Sequence, residues 1–196
     1  MIRTEPKWRS LLANTVTPIF TPEQCQNIID MGHQQKQEQA QVGHDTKANE
    51  GKPDTKKRIT TISWIPFSLM PDMYRIIERT MNQVNGNHFG YEGMQLSEPA
   101  QFTEYPKGGF YDWHMDADVN CHFEPPVRKI SMTILLSPQE EFSGGDLEFM
   151  TEGNKPPQLL QGQAIFFCSL IRHRVKKVNK GIRRSLVMWF GGPHFR

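Results

Sequence analysis

The sequence is poor in cysteine, and what it has is not arranged to act together. Cys25, Cys121 and Cys168 are the only ones in 196 residues. No pair has zinc-site spacing, and an odd, scattered set makes no disulfide framework, so a disulfide-stapled scaffold and a structural zinc site are excluded. Idle or buried thiols in a reducing compartment are the simpler reading. The opening "MIRTEPKWRS" has no apolar leader core. Nowhere do about 18 apolar residues run together, as a membrane helix requires. An excess of one charge is missing too: 23 Lys and Arg against 21 Asp and Glu leave +2, which argues neither for nor against nucleic acid. There is no internal repeat and no low-complexity tract. These absences imply a soluble, cytoplasmic protein with no membrane partner; they say nothing of oligomeric state.

What is present is punctuation. Fourteen prolines and fifteen glycines suit a loop-rich β architecture better than a helical bundle. Before residue 98 the chain reads as a helical flank with leading strands. Thr21 can cap a helix, with Pro22 in its first turn and Gln24 placed for a capping box. Cys25, Ile28, Ile29 and Gly32 then follow a helical period. A polar stretch over 43–58 reads as a loop, "ITTISWI" (59–65) as a strand, and "SLMPDMYRIIERTMNQV" as a second helix with Met73, Ile76, Ile77 and Thr80 on one side. From 98 to 192 short β-type runs follow one another: "AQFTEY", "GFYDWHMD", "RKISMTILL", "GDLEFM", "QLL", "AIFFC", "RHRVKKV" and "RRSLVMWF". Runs of this kind, separated by turn residues, suggest a sandwich, jelly roll or barrel. The expected plan is mainly β with flanking helices (α+β), one domain over 1–196, its N-terminal helices packed on a C-terminal β core.

"FYDWHMDADV" (110–119) raises the question of chemistry. Residues two apart on a strand share a face, so a regular strand would put Phe110, Asp112, His114 and Asp116 together. His114 and Asp116 would then offer an imidazole and a carboxylate side by side. A third ligand is available in His173, at the start of a later strand-like run. Two histidines and one carboxylate leave three positions open on a metal, an arrangement suited to ferrous iron. Ten residues beyond His173 come Arg183 and then Ser185, which share a strand face. A guanidinium fork with a neighbouring hydroxyl is suited to grip a carboxylate.

With these residues in order, the chain resembles the iron(II)- and 2-oxoglutarate-dependent dioxygenases, and among them the prolyl 4-hydroxylase-like branch. "WHMD" resembles the H-x-D pair, "LIRHRV" the distal histidine, and "KGIRRS" the arginine that binds the far carboxylate of 2-oxoglutarate. The resemblance covers about residues 98–192 and implies a double-stranded β-helix, a jelly roll with iron near one mouth. It implies His114, Asp116 and His173 as metal ligands. Tyr105, Thr133, Leu135, Leu147, Val175, Arg183 and Ser185 would surround 2-oxoglutarate. Tyr111, Arg128 and Trp189 would contact a proline-containing peptide or protein, Tyr111 only if its strand bends. The implied co-substrates are 2-oxoglutarate and O2, with ascorbate as a supporting reductant. The implied reaction is hydroxylation with release of succinate and CO2. Halogenating relatives lack the carboxylate, so Asp116 implies hydroxylation. The loops 40–58 and 117–128 are expected lids, with His122 placed to touch substrate.

Other readings stay open. The basic residues from Arg172 to Arg184 invite a nucleic-acid substrate, although the longer arginine-rich signature of the alkylated-base demethylases is absent after His173. Another amino-acid residue could be the target. The full set of ligands argues against a non-catalytic binding module of the same fold, and a cupin-like metal protein with no keto acid would leave Arg183 and Ser185 unexplained. Trp64 and the ten methionines read as core.

Overall fold

The structure, a computed structural model, describes residues 10–40, 55–117, 124–151 and 158–194. Most of the first expected lid and half of the second, with Cys121 and His122, lie outside the described residues. Among the described residues, fourteen strands and two α-helices follow in chain order: β1 Leu12–Asn14, α1 Pro22–Gln34, β2 Glu38–Gln39, β3 Arg58–Ile59, β4 Thr61–Ile65, α2 Pro71–Val84, β5 Gln95–Leu96, β6 Ala100–Tyr105, β7 Phe110–His114, β8 Val127–Leu135, β9 Phe142–Gly144, β10 Leu147–Phe149, β11 Ala164–Cys168, β12 His173–Val175, β13 Val178–Gly181 and β14 Arg183–Gly192. No helix among the described residues is long and apolar enough to cross a membrane.

Helix α1 starts as its sequence dictates. Gln24 N donates to the Thr21 hydroxyl at 3.2 Å, and Thr21 N donates to the Gln24 side chain at 2.8 Å, so two of the orphan N–H groups of a helix start are satisfied. Its buried face is Cys25, Ile28, Ile29 and Gly32. A Cβ on Gly32 would overlap the Phe102 ring, so glycine is what lets helix and sheet approach here. Helix α2 buries Met73, Tyr74, Ile77 and Met81. The expected Ile76 and Thr80 sit at the rim of that face, because the helix is rotated to bring Tyr74 and Met81 inward.

The strands form a jelly roll. The large sheet runs β1-β11-β8-β14-β6-β4-β2, with β5 also on β14; the small sheet runs β10-β12-β7-β3; β9 and β13 form a two-stranded ribbon. Both helices cover one face of the large sheet. There Phe102, Ile130, Met132, Ile134, Phe166, Leu186, Met188 and Phe190 join the helical side chains in one buried cluster. The alternate residues of the same strands point to the other face, toward the small sheet.

Three strand expectations change. "ITTISWI" is two strands: β3 pairs with β7 in the small sheet and β4 with β6 in the large one. Between them Thr60 donates its hydroxyl to Glu104 O at 2.6 Å, which holds the chain where it switches sheets. "RHRVKKV" likewise divides between β12 and β13. "QLL" joins no ladder; Leu159 is buried, and Leu160 N donates to the Gln163 side chain at 2.7 Å instead of to a strand.

Candidate metal centre

Strand β7 is not regular, and this decides the site. His173 of β12 lies opposite His114, but Val175 lies opposite Tyr111. Two steps on one strand match three on the other, which is a β-bulge. The extra residue reverses the pleat, so Tyr111, not Asp112, accompanies His114. Asp112 is exposed, and the expectation that it shares the ligand face is corrected. Tyr111 enters the site by the bend it needed: its ring stacks on the His114 imidazole with centroids 3.4 Å apart. Asp116 lies past the end of β7. Its backbone N–H and that of Ala117 donate to Ser169 O, at 3.0 and 3.1 Å, and these bonds bring the carboxylate round to the histidines.

His114 Nε2 is 3.6 Å from one carboxylate oxygen of Asp116, and His173 Nε2 is 3.6 Å from the other. The three ligand atoms lie within 4.8 Å of one another. Both imidazoles are oriented alike. Each donates Nδ1–H to the carbonyl two residues earlier, His114 to Asp112 at 2.8 Å and His173 to Ile171 at 3.1 Å. That leaves each Nε2 lone pair turned toward Asp116. Phe149 and Phe167 stand against the His173 ring, with centroids 6.0 and 4.6 Å away. Burial, with His173 beside it, pushes His114 down to about 4, so it is neutral at pH 7. Burial opposes ionisation of Asp116, but the two imidazoles and the Ser131 and Trp189 side chains outweigh it and hold the carboxyl below its ordinary range. Asp116 Oδ2 is nevertheless buried with no hydrogen-bond donor. A buried anionic oxygen facing two imidazole lone pairs fits a divalent cation.

A second group of residues extends the pocket along β14. Arg183 lies opposite Tyr105, Ser185 opposite Thr103 and Leu135, Val187 opposite Gln101 and Thr133, and Trp189 opposite Ser131. All of these face the small sheet. Arg183 is only 4% exposed. Its Nη1 donates to Ser185 Oγ at 3.2 Å, and its Cζ sits 5.7 Å from the Tyr105 ring. Among the described residues no carboxylate is within ion-pair distance of it, and burial lowers its pKa. Gly145 makes room for it: a Cβ there would come within 2.7 Å of Arg183 Cδ, and its φ is +71°. "FSGGDLEF" resembles the family's glycine turn between the ligands, but nothing in the motif tells that Gly145 makes room for Arg183. Leu147 and Val175 lie opposite each other and pack with Tyr105, Tyr111 and Val178; Leu135 packs with Phe149 and Phe167. A deep cationic end with apolar walls results.

Arg128 and Trp189 meet at the other end. Arg128 Cζ lies 3.9 Å from the Trp189 ring centroid. Its guanidinium is gripped through two donors by Glu98, with Nε at 2.6 Å from Oε1, and its Nη1 is 3.4 Å from Asp116 O. Glu98 is a further residue that spacing did not reveal. Trp64, expected in the core, is half-buried on the site face opposite Gln101, tilted against Trp189 at 6.1 Å.

The model of the 2OG-Fe(II) oxygenase superfamily matches residues 100–191, the segment that carries every one of these ligands. That segment, a little under half of the chain, is similar to the 2OG-Fe(II) oxygenase superfamily. Among curated proteins it is 33% identical over 95 residues to a PKHD-type hydroxylase of Alteromonas mediterranea, covering 46% of this chain and 42% of that one. The matched segments span 36% to 54% of such relatives, about half their length or less. Among solved structures, a prolyl-4-hydroxylase of Pseudomonas putida superposes with TM-score 0.66 at 20% identity, over 94% of each chain. The viral collagen prolyl hydroxylase of Paramecium bursaria Chlorella virus-1, in its 2OG complex, gives 0.69 at 18% identity, over 93% of this chain and 97% of that one. The fold is therefore that of the prolyl hydroxylase-like oxygenases. The superfamily's Fe(II) fits the His114, Asp116 and His173 set, and its 2-oxoglutarate fits the Arg183 end.

Proposed function

We propose that the chain is an Fe(II)- and 2-oxoglutarate-dependent oxygenase that hydroxylates a prolyl residue in a peptide or protein, releasing succinate and CO2. One observation carries this reading: two unmet electrostatic needs sit in one pocket. The buried Asp116 oxygen lacks a donor, and among the described residues the buried Arg183 guanidinium has no carboxylate within ion-pair distance. A divalent cation answers the first, and a dicarboxylic keto acid answers the second, since an uncompensated buried charge is costly.

Fe(II) held by His114, Asp116 and His173 would supply activation of O2 at the expense of 2-oxoglutarate. The chain's own residues position the rest. Arg183 and Ser185 fix the far carboxylate, and Tyr105 borders it. Leu135, Leu147 and Val175 keep water from the acid's carbon chain. Tyr111 holds the His114 ring flat, and the Nδ1–H bonds hold both imidazoles in the ligating tautomer. Trp189, carried by Arg128, and Trp64 present aromatic faces at the substrate side, and flat aromatic faces suit a pyrrolidine ring.

A nucleic-acid substrate is less well supported, because three of the seven basic residues of the run are paired with carboxylates and Arg183 is buried in the pocket. Arg174 pairs with Glu148 at 2.7 Å, Lys176 with Asp146 and Glu148 at 3.5 and 3.4 Å, and Arg184 with Glu104 at 2.8 Å.

The test is an anaerobic titration of the metal-free protein with ferrous iron and then 2-oxoglutarate. The expected result is a visible metal-to-ligand charge-transfer band that His173→Ala loses, followed in air by a one-oxygen mass gain on a proline-containing peptide. An iron-loaded, folded protein with no band would remove the keto acid from the pocket. A band without peptide hydroxylation would move the reaction to another substrate.

A further inference from the structure

We infer that Arg58 is a carboxylate-binding subsite at the mouth of this pocket, and that the peptide the site takes carries an acidic residue near its target proline. The peptide part rests on the prolyl hydroxylase reading above.

Arg58 belongs to the basic triplet at 56–58, which no other part of the function uses. It sits on β3, the outer strand of the small sheet, directly opposite Tyr111. Its Cζ lies 4.3 Å from the Tyr111 ring centroid, and that ring stacks on the metal ligand His114. Arg58, Tyr111 and His114 are thus in successive contact from the rim to the metal site. Across the mouth, Arg58 Nη2 donates to Gln101 Oε1 at 3.3 Å, and Gln101 faces Trp64 and Val187 on the large sheet. Arg58 therefore spans the gap where a substrate segment has to enter.

Its chemistry is unfinished. A guanidinium has five N–H donors in a planar fork, and here one meets a neutral amide. Nε is buried with no acceptor at all. The other arginines around the site are matched with carboxylates: Arg128 with Glu98, Arg174 with Glu148, Arg184 with Glu104. Arg183, on the other sheet, serves the far carboxylate of the keto acid, whose remaining carboxylate goes to the metal. Among the described residues Arg58 has no carboxylate in ion-pair range. The acid that completes it comes with the substrate, and the fork geometry selects a carboxylate over an amide.

The experiment uses short labelled peptides with one proline, in which a single glutamate is walked through the flanking positions, each beside its glutamine isostere. Fluorescence anisotropy reads binding to the intact protein, and mass spectrometry reads hydroxylation separately. The expected result is that the best glutamate peptide binds about tenfold tighter than its glutamine twin. The preference shrinks as salt is added, falls partly in Arg58→Lys and disappears in Arg58→Gln. Equal binding of the twins, no binding of either, or a preference that survives Arg58→Gln overturns the subsite. The two readings fail differently. Glutamate-selective binding without hydroxylation leaves the subsite standing and removes prolyl hydroxylation. Hydroxylation with no glutamate preference does the reverse.

Discussion

The two faces of the large sheet are made by the same strands and have opposite characters. Along β14, Leu186, Met188 and Phe190 turn to the helices, and each is fully buried among apolar neighbours. Between them Arg183, Ser185, Val187 and Trp189 turn to the small sheet. On that side, among the described residues, a guanidinium has no carboxylate within ion-pair distance, and an Asp116 oxygen is buried without a hydrogen-bond donor. The helical face is complete in itself. The site face is complete only with what it binds. A strand period of two lets one segment carry stability and chemistry at once without mixing them, so damage to the two faces should be separable.

The largest separation should come from paired substitutions. His173→Ala or Asp116→Ala is expected to abolish 2-oxoglutarate turnover while the circular dichroism spectrum and melting transition persist. Phe102→Ala, on the other face, is expected to cost about 3–5 kcal/mol of stability, as for a buried aromatic cut to alanine, read by denaturant unfolding. Retained turnover in the first pair would take those residues off the metal; a stable Phe102→Ala would deny the helical face its role.

Arg183→Ala sharpens the contrast within the site. Losing charge-assisted hydrogen bonds of about 1.5–3 kcal/mol should raise the 2-oxoglutarate requirement roughly ten- to hundredfold. An unchanged requirement in a steady-state titration would put the carboxylate elsewhere. A smaller effect is expected from Arg128→Ala or Glu98→Gln, which unseat Trp189. Peptide hydroxylation should drop several-fold more than uncoupled 2-oxoglutarate decay, and equal loss of both would remove this pair from the substrate side.

The pH response also divides the faces. His114 is held down to about 4, from 6.5, chiefly by burial. Its folded pKa is below its unfolded one, so its neutral form contributes stability that is full above about 6.5 and is lost as pH falls toward 4. The metal-free protein should therefore melt progressively lower across that window, and His114→Gln should flatten the slope. A wild-type slope equal to the variant's would contradict the burial of a neutral imidazole. The smallest effect is expected far from the pocket: Thr21→Ala removes the α1 cap at about 1 kcal/mol, visible in the melting temperature and not in turnover.

Much of this could be read from residue order because the relevant periods are local. The α1 cap and its Cys25, Ile28, Ile29, Gly32 face follow from one turn of helix. The common face of Arg183, Ser185 and Trp189 follows from a regular strand. Where local regularity failed, so did the reading. Asp112 was expected beside His114, but pairing with β12 inserts a bulge, and no residue in "FYDWHMD" announces it. The strand over 59–65 was read as one because its composition is uniformly β-like; the switch at Thr60 depends on two different partners, β7 and β6. Glu98 and Arg58 carry no motif, since their meaning lies in what they face, Arg128 in one case and Tyr111 with Gln101 in the other.

By itself, then, the sequence determined the ligand types, their order and the alternation that sends apolar residues to one side and polar ones to the other. These are properties of neighbours along the chain, set by backbone geometry within a few residues. The tertiary structure alone decided which tyrosine stacks on His114, which acid grips Arg128, and which arginine has no acid in ion-pair range among the described residues. Those outcomes depend on register between strands dozens of residues apart, where a single inserted residue reverses every face beyond it.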